Sequence, residues 1–372
     1  MDKSRLAYAG GFIAGALMLI GLVPSAQAQA GNAEWEKVVA AANTEGTLIL
    51  DSQPNIEMRK FVQEAWAKAY PKIALSVSTT PGTQFLARIR TERSVEKYLW
   101  DVSVSSVTTA YTLYHEGILD PLQPEFVQPD IKDPATWGGW DNVFMDKAGK
   151  YVFGMSAALK SPYYNTAQVS ADKIAQLGLK TLLDPAYKGK ILWHDPLVSG
   201  SGQTFAYVLR SRLGDDQLKK LIVDQKVVFM AQQDQVVEAM ARGTGWIGIG
   251  PFVRAHLAPY LAAGVKMDVR AFGNDPAMNE MGTGGAGLYV YNKRPHPNAT
   301  RVFVNWILSK DIQLGLAKAT LQDSRRQDLP SVSEPERQPV KGAHYLETQR
   351  EEHAQDLVDA IKFVAEIRKS AP

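Results

Sequence analysis

The sequence predicts an α/β protein made of two blocks of parallel sheet, and three observations predict it. The chain has 372 residues, 45% of them hydrophobic, which is room for two domains of roughly 150 residues each. From Thr47 to Gly117 a pattern of strand, turn and helix recurs three times, the alternation that builds a parallel sheet covered by helices. After an irregular stretch from Gln123 to Asp146, rich in Pro, Asp and Trp, the alternation resumes at ILWH (Ile191–His194).

The elements follow in order. Lys3 and Arg5 precede the apolar run Leu6–Val23, Pro24 breaks it, and SAQAQA offers small residues at alternating positions. This is the pattern of a secretory signal peptide over residues 1–30, cleaved before Gln29 or Gly31; an uncleaved anchor is the alternative. Trp35, Val38, Val39 and Ala42 fall at helical spacing within Glu34–Thr44, and TLIL (Thr47–Leu50) reads as a buried strand. IEMRKFVQEAWAKAY is an amphipathic helix stopped at Pro71, IALSVSTT alternates as a strand, and QFLARIRTERSVEK is helical. WDVSVSS is the next strand, and the helix after it stops at Gly117. KYVFGMSAALKSPYYNT reads as extended chain. The second block has strands at ILWH, KVVFMA and WIGIG, with helices at GSGQTFAYVLRSRL, QDQVVEAMARG and FVRAHLAPYLAAG. VKMDVRAF and GAGLYVYN are later strands, and the chain ends in helices from Pro297 onward.

Composition narrows the function. The formal net charge of +2 gives no reason to expect a nucleic-acid partner. With no cysteine, disulfides, thiolate metal sites and a lipid-modified N-terminal cysteine are closed. The six histidines show no metal-ligand spacing, so no metal site is read from them.

In parallel sheets, ligands bind off the carboxyl ends of the strands. Those ends carry Ser52 and Gln53, Thr79 and Thr80, and Ser105 and Ser106, all small, neutral hydrogen-bonding groups. In the second block the corresponding turn is Ser199-Gly200-Ser201-Gly202. It lacks the lysine of a phosphate loop and the flanking glycines of a nucleophile elbow. Two uses remain: a plain helix cap, or a helix N-terminus offering backbone N–H groups to a carboxylate, phosphate or phosphonate. The stretches starting at Gly243 and Gly282 match G-x-G-x-x-G but precede strands, so they fail the context of a dinucleotide site. A secreted hydrolase using Ser201 with His194 or His256 is the rival class, and no triad motif supports it.

YYNTAQVSADKI and LLDPAYKGKILWHDPLVSGSG, together with TLILDSQ, ARIRTERSVEKYLWDV and GAGLYVYNKRPHPNATRVFVNWILSKDIQLGLA, carry a resemblance. In this order they resemble the periplasmic solute-binding proteins of bacterial ABC transporters, extracellular solute-binding family 1. The branch is that of ferric-iron-binding proteins and their small organic-ligand relatives. The resemblance implies a two-lobed periplasmic-binding-protein type II fold with an interdomain cleft and crossing hinge strands near Ala157–Asn165 and Gly284–Asn292. Lobe 1 would be residues 31–128 plus 280–372, and lobe 2 residues 129–279.

It also implies a monomer, without cofactor or catalytic residues. Such a protein captures a small polar solute and passes it to an inner-membrane ABC permease, with presentation to a sensor as the alternative. The binding residues would be Ser52, Gln53, Thr80, Ser105 and Ser106 from one lobe. Tyr163, Ser199, Ser201, Gly202 and Phe252 would come from the other, with Arg325 neutralising an anion. Ferric iron is the alternative ligand, but Pro251 and Phe252 stand where the ferric proteins carry their tyrosine pair.

Overall fold

The computed structural model describes residues 26–53, 55–80, 82–198, 200–250, 257, 260–265, 267–284 and 286–370. Its first half runs α1 (Ala26–Glu45), β1 (Thr47–Ser52), α2 (Ile56–Ala69), β2 (Ala74–Ser78), α3 (Gly82–Ser94), β3 (Val102–Ser105), α4 (Val107–His115), β4 (Leu119–Asp120) and α5 (Pro129–Lys132). There follow β5 (Phe153–Gly154), β6 (Ser156–Lys160), β7 (Tyr163–Asn165), α6 (Ala171–Leu177), β8 (Ile191–His194), α7 (Ser201–Leu213), α8 (Asp215–Val223), β9 (Val228–Met230), α9 (Gln233–Ala241) and β10 (Ile247–Ile249). The last are β11 (Val269–Ala271), β12 (Glu280–Gly282), β13 (Gly287–Tyr291), α10 (Pro297–Leu308), α11 (Lys310–Thr320), β14 (Asp323–Ser324) and α12 (Ala354–Ser370).

The first sheet has the order β2-β1-β3-β13-β4, with β5 also on β13. β1 is parallel to β2 and β3, while β13 returns antiparallel to β3. Both faces are covered, as a parallel sheet requires. Leu48, Leu50, Val102, Leu288 and Val290 face one core, and Tyr289 and Tyr291 face the other with Phe85, Ile89 and Val107. The alternation along β13 is the two-residue period of a strand. Met58, Val62 and Trp66, one helical turn apart, fix α2 on the first of these cores.

The second sheet has the order β11-β7-β10-β8-β9. Tyr164, Ile191, Trp193, Phe205, Leu209 and Leu221 pack on one side of it, and Tyr163, Leu192, Val236 and Met240 on the other.

A third sheet, β12-β6-β14, joins the lobes. β6 links β5 of the first sheet to β7 of the second. β12 leads back toward β13 and lies just before the crossing expected at Gly284–Asn292, most of which instead forms β13 inside the first sheet. Lys160 and Glu280 face each other across β6 and β12 at 3.0 Å, with exposures of 7% and 0%. The Thr348 hydroxyl donates to the same Glu280 carboxylate. One buried ion pair thus pins three separate passes of the chain through the junction.

The lobe limits differ from the sequence expectation at two places. Ile131, Trp137, Val143, Phe144 and Phe153, expected in lobe 2, are buried in the first core. The terminal helix α12, expected in lobe 1, buries Ala360, Val364 and Ile367 in the second core. An apolar helical stripe declares that it is buried, not against which lobe.

Candidate functional site

Both main sheets have a point where the winding reverses. In the first, β1 is followed by β2 on one side and β3 on the other, so the connections leave in opposite directions between β1 and β3. In the second the same reversal falls between β8, which pairs with β9, and β10. Such switch points leave a crevice beyond the strand carboxyl ends, where ligands bind.

At the first switch point stand Ser52, Gln53, Ser105 and Ser106. Ser52 is buried and its hydroxyl donates to the Gln53 carbonyl at 3.2 Å. The Gln53 backbone N–H donates to Val104 O at 3.1 Å, tying the two strand ends together. The Gln53 side chain lies beside Met155, Ala286, Gln313 and Gln322 of the junction. Asn55 caps α2 by accepting from Met58 N at 2.8 Å. Ser106 occupies the cap position of α4, yet its hydroxyl bonds Thr108 Oγ1 at 2.8 Å and no backbone N–H of the helix. Thr80 pairs with Ser78 at 3.3 Å just before α3. A Cβ on Gly82 would lie 2.3 Å from Thr109 Oγ1, so the first turns of α3 and α4 are in contact. The N-terminal ends of α3 and α4, and the start of α2, converge at the first-lobe rim. Their aligned dipoles and terminal N–H groups make that rim positive.

At the second switch point the turn before α7 is braced from within. The Ser201 hydroxyl donates to Gly250 O, joining the loops that leave β8 and β10. The Gly202 N–H donates to His194 Nδ1 at 3.3 Å, and Trp193 Nε1 donates to Gly202 O at 3.2 Å. Burial lowers the His194 pKa, against a smaller opposing pull from its hydrogen bond to the Ala231 backbone. The neutral ring therefore accepts at Nδ1. A Cβ on Gly202 would fall 1.8 Å from His194 O, so only glycine fits. Gly200, at φ +142°, would place a Cβ 2.6 Å from the His194 ring. Arg368, near the end of α12, donates to Asp195 at 2.7 Å and holds the loop from outside.

Four other expected residues fall elsewhere or outside the described residues. Tyr163 is buried in β7 between Gly248 of β10 and Ala271 of β11. Ser199 and Phe252 lie outside the described residues. Arg325 is buried at the junction with its donors engaged: Nε to Ser156 O at 3.0 Å, Nη1 to Asn142 O, and both terminal nitrogens near Glu347. The guanidinium offered by the sequence as the ligand's counter-charge is thus already neutralised. It borders a cavity of about 540 Å³ lined also by Asp323, Ser331, Lys341 and Tyr345. Arg326 is likewise held by Asp130 and Asp328 and stacks on Trp137.

Sequence reasoning missed Lys160, Glu280, Gln313 and Gln322. Only the structure links Gln322 to a glycine of the junction: Gly284 stands at φ +60°, and a Cβ there would collide with the Gln322 amide at 1.6 Å.

A family model described as bacterial extracellular solute-binding protein matches residues 62–323. The chain belongs to this family. Among solved structures, this solute-binding protein is similar to iron-bound HitA from Pseudomonas aeruginosa, at 16% identity and a TM-score of 0.64, over 87% of this chain and 98% of that one. It is similar to the Trichodesmium protein IdiA (FutA) in complex with iron and citrate, at 16% identity and 0.63, over 87% and 99%. It is also similar to AfuA from Actinobacillus pleuropneumoniae with fructose-6-phosphate bound, at 17% and 0.57, over 87% and 99%. These likenesses establish the two-lobed periplasmic-binding fold. No curated protein sequence matches. Among the described residues, no helix is long and apolar enough to cross a membrane.

Proposed function

We propose that this solute-binding protein is exported to the periplasm behind a cleaved segment of about 30 residues. There it works as a monomer, traps a small anionic solute between its lobes and delivers it to an ABC permease. No bond of the solute is broken. The observation that carries the anionic reading is the first-lobe switch point, where the helix N-termini converge and the α4 cap residue leaves that helix's leading N–H groups without a side-chain acceptor. A carboxylate or phosphate oxygen supplies the missing acceptors. Gln53, Thr80, Ser105 and Ser106 surround it, and the turn at Gly200–Gly202 meets it from the second lobe. Closure is a shift toward the state in which the solute touches both lobes.

Ferric iron fits this chain less well. Tyr163 and Tyr164 are neighbours in β7, so their rings point to opposite faces, one into each core of the second sheet. Two such phenols do not converge on one ion.

A thermal-shift screen of protein beginning at Gly31 tests the reading. The panel holds inorganic phosphate, citrate, fructose 6-phosphate, a phosphonate, a polyamine and Fe(III). A raised melting temperature with an anion is expected; stabilisation by a cation alone would remove the anionic reading.

A further inference from the structure

Asp51, in β1, is 1% exposed and makes no ion pair among the described residues. Its Oδ2 accepts from Ser103 Oγ at 3.1 Å, while Oδ1 has no hydrogen-bond partner. Asp51 lies opposite Ser103 in the parallel ladder, and Ser103 lies opposite Tyr289 in the antiparallel one. Ser103 is bonded in turn to the Tyr291 hydroxyl. Ser105, two residues further along β3 and on the same face, brings this row of oxygens to the candidate solute rim. Around it are Phe85, Ile89 and Val107, an apolar setting.

The charged and titratable groups facing this row are few. Arg88 of α3 attracts the carboxyl from a distance, but it is half exposed and bound to Glu92 at 2.7 Å. Burial, reinforced by Asp51 itself, holds the Tyr289 and Tyr291 phenols protonated. β2 places Ser78 in register with Asp51, and Val107–Tyr114 of α4 carries no charged residue. An ionised carboxyl buried without a cation is costly, and the group relieves that cost by binding a proton. Burial pushes the Asp51 pKa up to about 7, against smaller opposing effects of the nearby Ser103 and Ser105 hydroxyls and of Arg88.

We propose that Asp51 is a proton-binding group that sets the charge directly behind the solute rim, so that capture of an anion is coupled to uptake of a proton. The coupling rests on the anionic reading above; the titration of Asp51 does not. An anion held at Ser105 and Ser106 disfavours a second negative charge one strand away, and a neutral Asp51 favours the anion by the same factor. As pH rises from the pKa of Asp51 in the free protein toward its higher value in the complex, anion affinity falls by at most about tenfold per unit.

Two arms test this. In the first, without solute, wild type and Asp51→Asn are unfolded in urea from pH 5 to 8. The native carboxyl binds its proton more tightly than the unfolded one, so its stabilisation is lost as pH rises toward 7. The unfolding constant of wild type relative to the variant should rise by about tenfold per pH unit and flatten above pH 7. Parallel profiles would overturn the assignment. If Asp51→Asn does not fold, the infrared carbonyl band of a buried protonated carboxyl in wild type replaces it: present at pH 5 and gone at pH 9 supports the assignment, and absence at pH 5 overturns it.

In the second arm, inorganic phosphate is titrated calorimetrically near pH 7 in two buffers of different ionisation heat. Wild type should take up more protons than Asp51→Asn, whose value carries only phosphate's own ionisation near pH 7. Equal proton uptake by the two proteins on binding phosphate overturns the coupling. Failure of phosphate to bind overturns the anionic reading for this probe, and the coupling with it, while the first arm still decides whether Asp51 titrates.

Discussion

The two switch points use the same vocabulary of small polar residues in opposite ways. In the second lobe the turn is braced by its own fold: Ser201 reaches Gly250, Gly202 reaches His194, and Arg368 holds Asp195. In the first lobe the Ser106 hydroxyl leaves the α4 backbone uncapped, and a buried carboxyl stands one strand away without a paired cation among the described residues. Serine and glycine at a strand end therefore say little until their partners are known. One set shapes its loop, and the other leaves the start of α4 without a cap from Ser106, the end proposed to meet the solute.

Substitutions sharpen this contrast, beginning with the largest effect. Lys160→Met strands Glu280 as an unpaired buried charge at the junction, and should cost about 3–5 kcal/mol in urea unfolding; adding Glu280→Gln in the same chain should recover part of that loss, because neither position then carries a buried charge. Gly202→Ala drives a methyl into the His194 carbonyl and should lose about 3 kcal/mol in the same measurement. Ser201→Ala removes the bond to Gly250 O and should lower stability by about 1–2 kcal/mol, with anion affinity near that of wild type. Ser106→Ala should do the reverse. Its stability should change by less than about 0.5 kcal/mol, while anion affinity measured by calorimetry falls about tenfold, the effect of one lost hydrogen bond to a charged group. If Ser201→Ala weakens binding and Ser106→Ala does not, the two turns have been assigned the wrong way round.

The alternating blocks were legible because strand and helix periods are written in local sequence. β1, β3, β8 and β10, with their small polar ends, fall where the pattern places them. The assignment of α12 was not legible, since its stripe of Ala360, Val364 and Ile367 fits any apolar surface. The two-residue β14 is too short to show a period. Lys160 and Glu280 are 120 positions apart and meet only through strand register. Arg325 looked available because a guanidinium in a polar stretch reads as solvated; Glu347 and the Asn142 carbonyl, both distant in sequence, engage it. Asp51 falls one residue past the strand expected at Thr47–Leu50, and only its register with Ser103, itself opposite Tyr289, reveals a carboxyl inside the sheet.

The most direct test of solute capture at the first-lobe rim is calorimetric titration of wild type and Ser106→Ala with whichever anion most raises the melting temperature. Wild type should bind one anion per molecule saturably, and the variant about tenfold more weakly. Equal affinity in both proteins would contradict capture at that rim.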